Sequence, residues 1–236
     1  MKRFVQLDRF LLRNSEYSSR QLRRLILAGE VEVGGEVCRN IIEPVGAFTQ
    51  VSMCGKTLQN RNALYIMLNK PKGVVSATKH PEHKTVIDCI SDELSSDLHL
   101  AGCLDFNTTG LMLLTNDGHW SRKITQPEER KPKSYLVETE APITEEYVEA
   151  FKRGIFLKFE NITLMPASLN IISDKQARLS IFEGRYHQVK RMFGFFNNKV
   201  IALHREAMGK IQLDPGLKSG DYRVLSASEI ASVGGC

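Results

Sequence analysis

No run of about 18 or more apolar residues occurs in this 236-residue chain, so nothing in it reads as a membrane-spanning helix. Cysteine is sparse. Cys38, Cys54, Cys89, Cys103 and Cys236 are scattered, odd in number and without a C-x-x-C pair, which argues against a disulfide framework and against a zinc site. A reducing cytoplasmic setting is the simple expectation. In the opening MKRFVQLDRFLLRN, Asp8, Arg9 and Arg13 break the apolar positions, so the unbroken core of a secretory signal is missing. There is also no phosphate-binding glycine loop, no internal repeat and no low-complexity tract. We therefore expect neither a nucleotide cofactor nor a metal.

What is present is apolar enough (42%) for one large domain and a small one. The net charge of +5 is modest, but its distribution is uneven. Residues 1–24 hold seven basic side chains against two acidic ones, and residues 185–210 hold six against one. Two basic clusters far apart in sequence suit a phosphate-rich partner touched at two places. Two solvated faces would carry the same charges, so charge alone does not decide.

The first 58 residues read as a compact module. Leu7, Phe10 and Leu11 sit at helical spacing, and Ser18 with Gln21 forms a capping box at the start of a second helix. That helix carries Leu22, Leu25 and Ile26 on one side and Arg20, Arg23 and Arg24 on another, and Gly29 stops it. Val31 and Val33 alternate with acids before a Gly34-Gly35 turn, which signals a β-hairpin. Residues 55–62 are polar and aperiodic, and we read them as a linker to a second domain over 62–236. There LYIMLNK, LMLLTND, SYLVETE, ARLSIFEG and KVIALH are strands, and TEEYVEAFKRG is a helix with acids first and bases last. The alternation of strands and helices is irregular. This favours an α+β fold with a mixed, largely antiparallel sheet over a doubly wound one.

Three stretches could carry chemistry. In AGCLDFNTTGLMLLTNDG, Asp105 lies in a turn-prone segment just before an apolar strand, where a rigid support can present a carboxylate. An Asx-turn would use the same residues. In EGRYHQVKRMF, Arg185 follows Gly184 at a strand-to-helix junction with Lys190 and Arg191 behind it. An arginine there could aim a carboxylate through a charge-assisted bond, and His187 could be a base or simply structural. In KPKSYLVE, Tyr135 stands on a strand amid Lys131 and Lys133, placed either to stack on a flipped base or to fill a core.

Taken together and in this order, LNKPKG, G-x-LD-x-x-TTGL-x-LLTNDG, KSYLV and EGRYHQVKRMF resemble the pseudouridine synthases. More narrowly they resemble the ribosomal small subunit type, whose members modify one uridine of 16S ribosomal RNA. The N-terminal RLDRFLLRN…SSRQLRRLILAGEVEVGGEV is similar to the S4-type RNA-binding module. The resemblance continues into GDYRVLSASEI and so covers nearly the whole chain.

The resemblance implies roles. Asp105 matches the essential aspartate, Tyr135 the base-stacking tyrosine, Arg185 the basic partner of the aspartate, and Leu203 an apolar residue against the target base. Lys2, Arg3, Arg20, Arg23, Arg24, Lys131, Lys133, Lys190 and Arg191 are expected to hold RNA phosphates. The family usually has an arginine where this chain has Cys103. The implied enzyme is a cytoplasmic, cofactor-free monomer with a pocket for one extruded pyrimidine. Two alternatives are a synthase acting on 23S ribosomal RNA and a catalytically silent RNA-binding assembly factor.

Overall fold

The structure, a computed structural model, describes residues 4–234 except 96 and 159. Lys2, Arg3 and Cys236 lie outside the described residues. The chain divides into two units, one ending at Ala63 and one beginning at Leu64.

In the first unit, β1 (Val5–Gln6) leads into α1 (Leu7–Asn14), and α2 (Ser19–Ala28) follows. Ser18 accepts from the Gln21 amide and donates its own amide to the Gln21 side chain, closing the capping box, and Gly29 takes the left-handed conformation at the other end. Gly34 and Gly35, both at positive φ, turn β2 (Val31–Val33) onto β3 (Glu36–Val37). β4 (Pro44–Val45) pairs with β1. β5 (Val51–Met53) and β6 (Lys56–Gln59) complete a four-stranded sheet in the order β3-β2-β5-β6. Leu7, Leu11, Leu22, Ile26, Val31 and Val51 form its core.

The linker expected over 55–62 is corrected here. Lys56–Gln59 is an edge strand in register with β5, and Gln59 Nε2 donates to the carbonyls of Gly46 and Thr49. Neither face of this strand is fully buried, so its sequence carries no apolar alternation to reveal it.

The second unit opens on β7 (Tyr65–Lys70), buried at Tyr65, Ile66, Met67 and Leu68. α3 (Asp92–Ser95) and β8 (His99–Leu100) precede β9 (Thr109–Thr115), which is buried along nearly its whole length. α4 (Gly118–Thr125) is capped by Asp117, which accepts from the amides of His119 and Trp120. Next come β10 (Lys133–Thr139), α5 (Glu145–Arg153), β11 (Phe156–Leu157) and β12 (Ile162–Thr163). The hairpin β13 (Ser168–Ser173) and β14 (Gln176–Ile181), then α6 (Gln188–Gly194), follow. β15 (Val200–Met208), β16 (Ile211–Gln212), β17 (Tyr222–Val224) and α7 (Ala227–Ser232) finish the unit.

Nine strands form one sheet, with the path β13-β14-β10-β15-β9-β7-β17, β16 on β15 and β8 on β9. β15 and β9 run parallel, and the other pairings are antiparallel. This is the mixed, largely antiparallel sheet that the sequence pattern implies. Tyr147, Phe151, Phe193 and Phe196 pack ring against ring and join α5 to α6, which places the N-terminus of α6 beside the sheet.

The parallel pair needs a close approach at one point. Gly110 sits at φ +100 opposite Arg205, and a Cβ there would overlap the Arg205 carbonyl. Gly110→Ala should cost about 3 kcal/mol through strain at positive φ and the clash. Thermal denaturation should show a Tm lower by roughly 6–12 °C, and an unchanged Tm would mean that the pairing does not depend on this glycine.

Candidate active site

Asp105 lies in an irregular loop between β8 and β9, and the loop is fastened from below. Lys70, at the end of β7, is fully buried, and its Nζ donates to the carbonyls of Pro71, Phe106 and Thr108 at 3.1, 3.2 and 2.9 Å. The Gly73 amide donates to the Phe106 carbonyl. Ser76 Oγ donates to the Leu104 carbonyl at 2.6 Å and accepts from the Leu104 amide at 3.0 Å. Within the loop, the Thr108 amide donates to the Asp105 carbonyl, a main-chain turn in place of the Asx-turn that was the other reading of this segment. From β15, buried Arg205 donates to the carbonyls of Leu111 and Cys103. The aspartate thus sits on a loop whose carbonyls are tied to two buried cations.

Burial pushes the Lys70 ammonium down to about 8; the Asp105 carboxylate opposes that shift and the Arg205 charge adds to it. Lys133 is also held below the usual lysine value, by burial first and then by the charge of Arg205, against an upward pull from Glu183.

The Asp105 carboxylate faces a narrow slot. Lys190 Nζ is 2.8 Å from its Oδ2, and His187 Nε2 is 3.6 Å from its Oδ1. Tyr135, Arg185 and Leu203 line the same slot. Tyr135 is 6% exposed and belongs to the inward row of β10, beside an irregularity in the register with β15 between Ser134 and Tyr135. Such a bulge re-aims a side chain. The slot encloses about 70 Å³, roughly half the ~150 Å³ that accommodates a benzene-sized ring. A ready-made pyrimidine pocket was the expectation. The slot as it stands is smaller than that, and the Arg185–Gln188 turn lines it beside Asp105 through Arg185, His187 and Gln188.

That turn also corrects the expected partner of the aspartate. Arg185 Nε donates to Glu183 Oε2 at 3.1 Å, while Glu183 Oε1 accepts from Gln188 Nε2 and the Met165 amide. Gln188 Oε1 in turn accepts from the Arg185 amide. Arg185 ties its own turn together, and Lys190 pairs with Asp105. The spacing of His187 and Lys190, i and i+3 at the start of a helix, could have revealed that both point the same way.

The other expected RNA contacts divide. Arg20, Arg23 and Arg24 are exposed on α2. Lys131 is half-buried beside Gly209. Lys133 is 6% exposed, so its phosphate-binding role is corrected: its ammonium lies inside, near Glu183 and Arg205. Lys190 is occupied by Asp105, and Arg191 is paired with Glu160. Neither belongs to an open cationic face. Cys103 is exposed and lines the slot. Three residues that sequence reasoning did not single out matter to this arrangement: Lys70, Glu183 and Thr108.

A buried-cation cradle presenting one carboxylate beside a lysine and a tyrosine, over a mixed nine-stranded sheet, suits chemistry on a single nucleoside. The sequence profile of the family described as RNA pseudouridylate synthase matches residues 64–194. The chain belongs to that family and is an RNA pseudouridine synthase. It is 52% identical over 97% of its length to the whole of ribosomal small subunit pseudouridine synthase A of Pseudomonas aeruginosa. The protein of the same name from Escherichia coli strain K12 is 43% identical over the same share and is also covered in full. A crystal structure of a pseudouridylate synthase superposes with a TM-score of 0.72 at 37% identity, covering 97% of this chain and 99% of that one.

The geometry separates Lys190 from Arg185. Lys190→Met should lower kcat by about 100-fold or more, as the loss of a positioned charge does. Arg185→Ala should lower it by about tenfold or less, acting through the turn. Steady-state turnover distinguishes them, and equal losses in kcat would refute the assignment of Lys190.

Lys70 has a consequence for pH. Its folded value, about 8, lies below that of a free lysine, so between the two the unfolded chain holds a proton that the folded chain has released. The contribution of this group to stability therefore rises with pH through that window, while its charged grip on the Asp105 loop is lost above about 8. Wild-type kcat should fall with an apparent pKa near 8 without a parallel fall in Tm. Lys70→Met should be slow throughout and lack this limb. A limb preserved in Lys70→Met would assign it to another group.

Proposed function

We propose that this enzyme isomerises one uridine of small-subunit (16S) ribosomal RNA to pseudouridine, with Asp105 starting the reaction. The observation that carries the Asp105 assignment is its ion pair with Lys190 at the slot that Tyr135 and Leu203 also line. Near-full-length similarity to two proteins named for the small ribosomal subunit supports the substrate.

Making pseudouridine breaks the bond from ribose C1′ to uracil N1, turns the base and joins C1′ to C5. The proton on C5 leaves and N1 gains one, so no oxidant, reductant or energy source is consumed. Asp105 serves the first step, either by attack at C1′ or by removing a proton from the sugar, and one carboxylate suffices for either. Lys190 and His187 hold the carboxylate toward the slot, Tyr135 and Leu203 sandwich the uracil, and the tyrosine oxygen serves the last proton removal from C5. The base leaves its stack at a cost of a few kcal/mol, which RNA contacts elsewhere offset. Arg20, Arg23 and Arg24 of α2 form one such contact face, with RNA phosphates as partners. The enzyme works in the cytoplasm, as a monomer, on RNA that is free or in an assembling subunit.

Replacing Asp105 with Asn tests this reading. The variant should yield no pseudouridine in small-subunit RNA while binding it within a few-fold of the wild type. Pseudouridine mapping in cells carrying only the Asn variant should show one uridine of that RNA unmodified. A retained modification, or a loss confined to large-subunit RNA, would refute the proposal.

A further inference from the structure

Beside the catalytic slot lies a separate groove of about 620 Å³, within the range of roughly 300–1,000 Å³ typical of ligand sites. Thr108, Lys190 and Leu203 line both spaces and so form the wall between them. The groove is also lined by Lys72, which follows the Lys70 cradle, and by Lys199, at the entry to β15; both are exposed. Among the described residues, no carboxylate lines it. Exposed Ile201 supplies an apolar face.

The shared wall contains an unsatisfied group. Thr108 is 2% exposed, and its Oγ1 has no hydrogen-bond partner, one of three such buried side-chain atoms among the described residues. A buried hydroxyl left unpaired costs about 1–3 kcal/mol, so its presence calls for a partner that arrives with the substrate. A hydroxyl donates to, or accepts from, the oxygens of a ribose-phosphate linkage. Two exposed ammonium groups suit the phosphate that follows, and an apolar side chain suits the face of a base.

We propose that this groove is a second nucleotide subsite, which holds the nucleotide next to the target uridine, and that the Thr108 hydroxyl bonds the linkage between the two. The inference rests on the RNA substrate proposed above. It makes Thr108 a substrate-binding residue, and it assigns Lys72 and Lys199 to one phosphate.

The test uses a small-subunit RNA fragment that the wild-type chain modifies. Absence of product from the wild type would defeat the proposed substrate, and the subsite with it. With product secured, Thr108→Val, which keeps the shape and removes the hydroxyl, should lower kcat/KM about tenfold while leaving Tm equal or higher. Thr108→Ser should stay within about threefold of the wild type. A fall in Tm for Thr108→Val would show that the hydroxyl is already bonded within the folded protein, and would overturn the proposal. So would unchanged turnover.

Single methylphosphonate replacements along the fragment then locate the phosphate. One replacement adjacent to the target should raise KM for the wild type but not further for Lys72→Gln/Lys199→Gln. Additive effects at every linkage would overturn the assignment of the lysines.

Discussion

One buried ammonium organises the centre of this enzyme. Lys70 donates to three carbonyls, two of them in the segment from Phe106 to Thr108, and so fixes a loop that has no helix or strand of its own. Irregular backbone exposes many polar groups, and those turned inward require partners. A lysine without water needs them equally. Each need is met by the other, and Asp105 on the fastened loop meets Lys190 across the slot. The same burial that lowers the proton affinity of Lys70 makes the arrangement sensitive to alkaline pH.

Cations are graded by depth around the carboxylate. Lys70 and Arg205 are enclosed and grip backbone, Lys190 is part-exposed and pairs with the carboxylate, and Lys72 and Lys199 reach solvent along the neighbouring groove. Enclosed cations act as structure: Lys70 and Arg205 donate to backbone carbonyls, although Arg205 Nη2 is left without a partner. Exposed ones remain available to phosphate, where displaced counterions add to affinity. Lys133 and Arg191, basic in sequence but internally engaged, show that positive charge along a chain does not by itself map a binding face.

The Glu183–Arg185–Gln188 knot has a different role. It closes a turn over the slot with hydrogen bonds that lie mostly outside the slot itself. His187, within that turn, takes a left-handed conformation, one that histidine adopts more readily than most non-glycine residues. The narrow slot and the tied turn share His187, which faces Asp105 across the slot.

Short-range chemistry was legible from the chain alone. The capping box at Ser18, the glycine turn at Gly34–Gly35 and the apolar runs that became β7 and β9 depend on neighbours a few residues apart, so sequence spacing determines them. The placing of Asp105, Tyr135 and Leu203 on one slot was foreseen through family motifs, not through spacing. What only tertiary structure decided was which cation meets which acid. Glu183 takes Arg185 and Asp105 takes Lys190, a choice set by the turn before α6 and by the direction in which that helix presents its first residues. The edge strand at Lys56–Gln59 and the cradle role of Lys70 were hidden for the same reason. Each depends on a partner brought close by the fold, and charge or polarity in a sequence says nothing of distance.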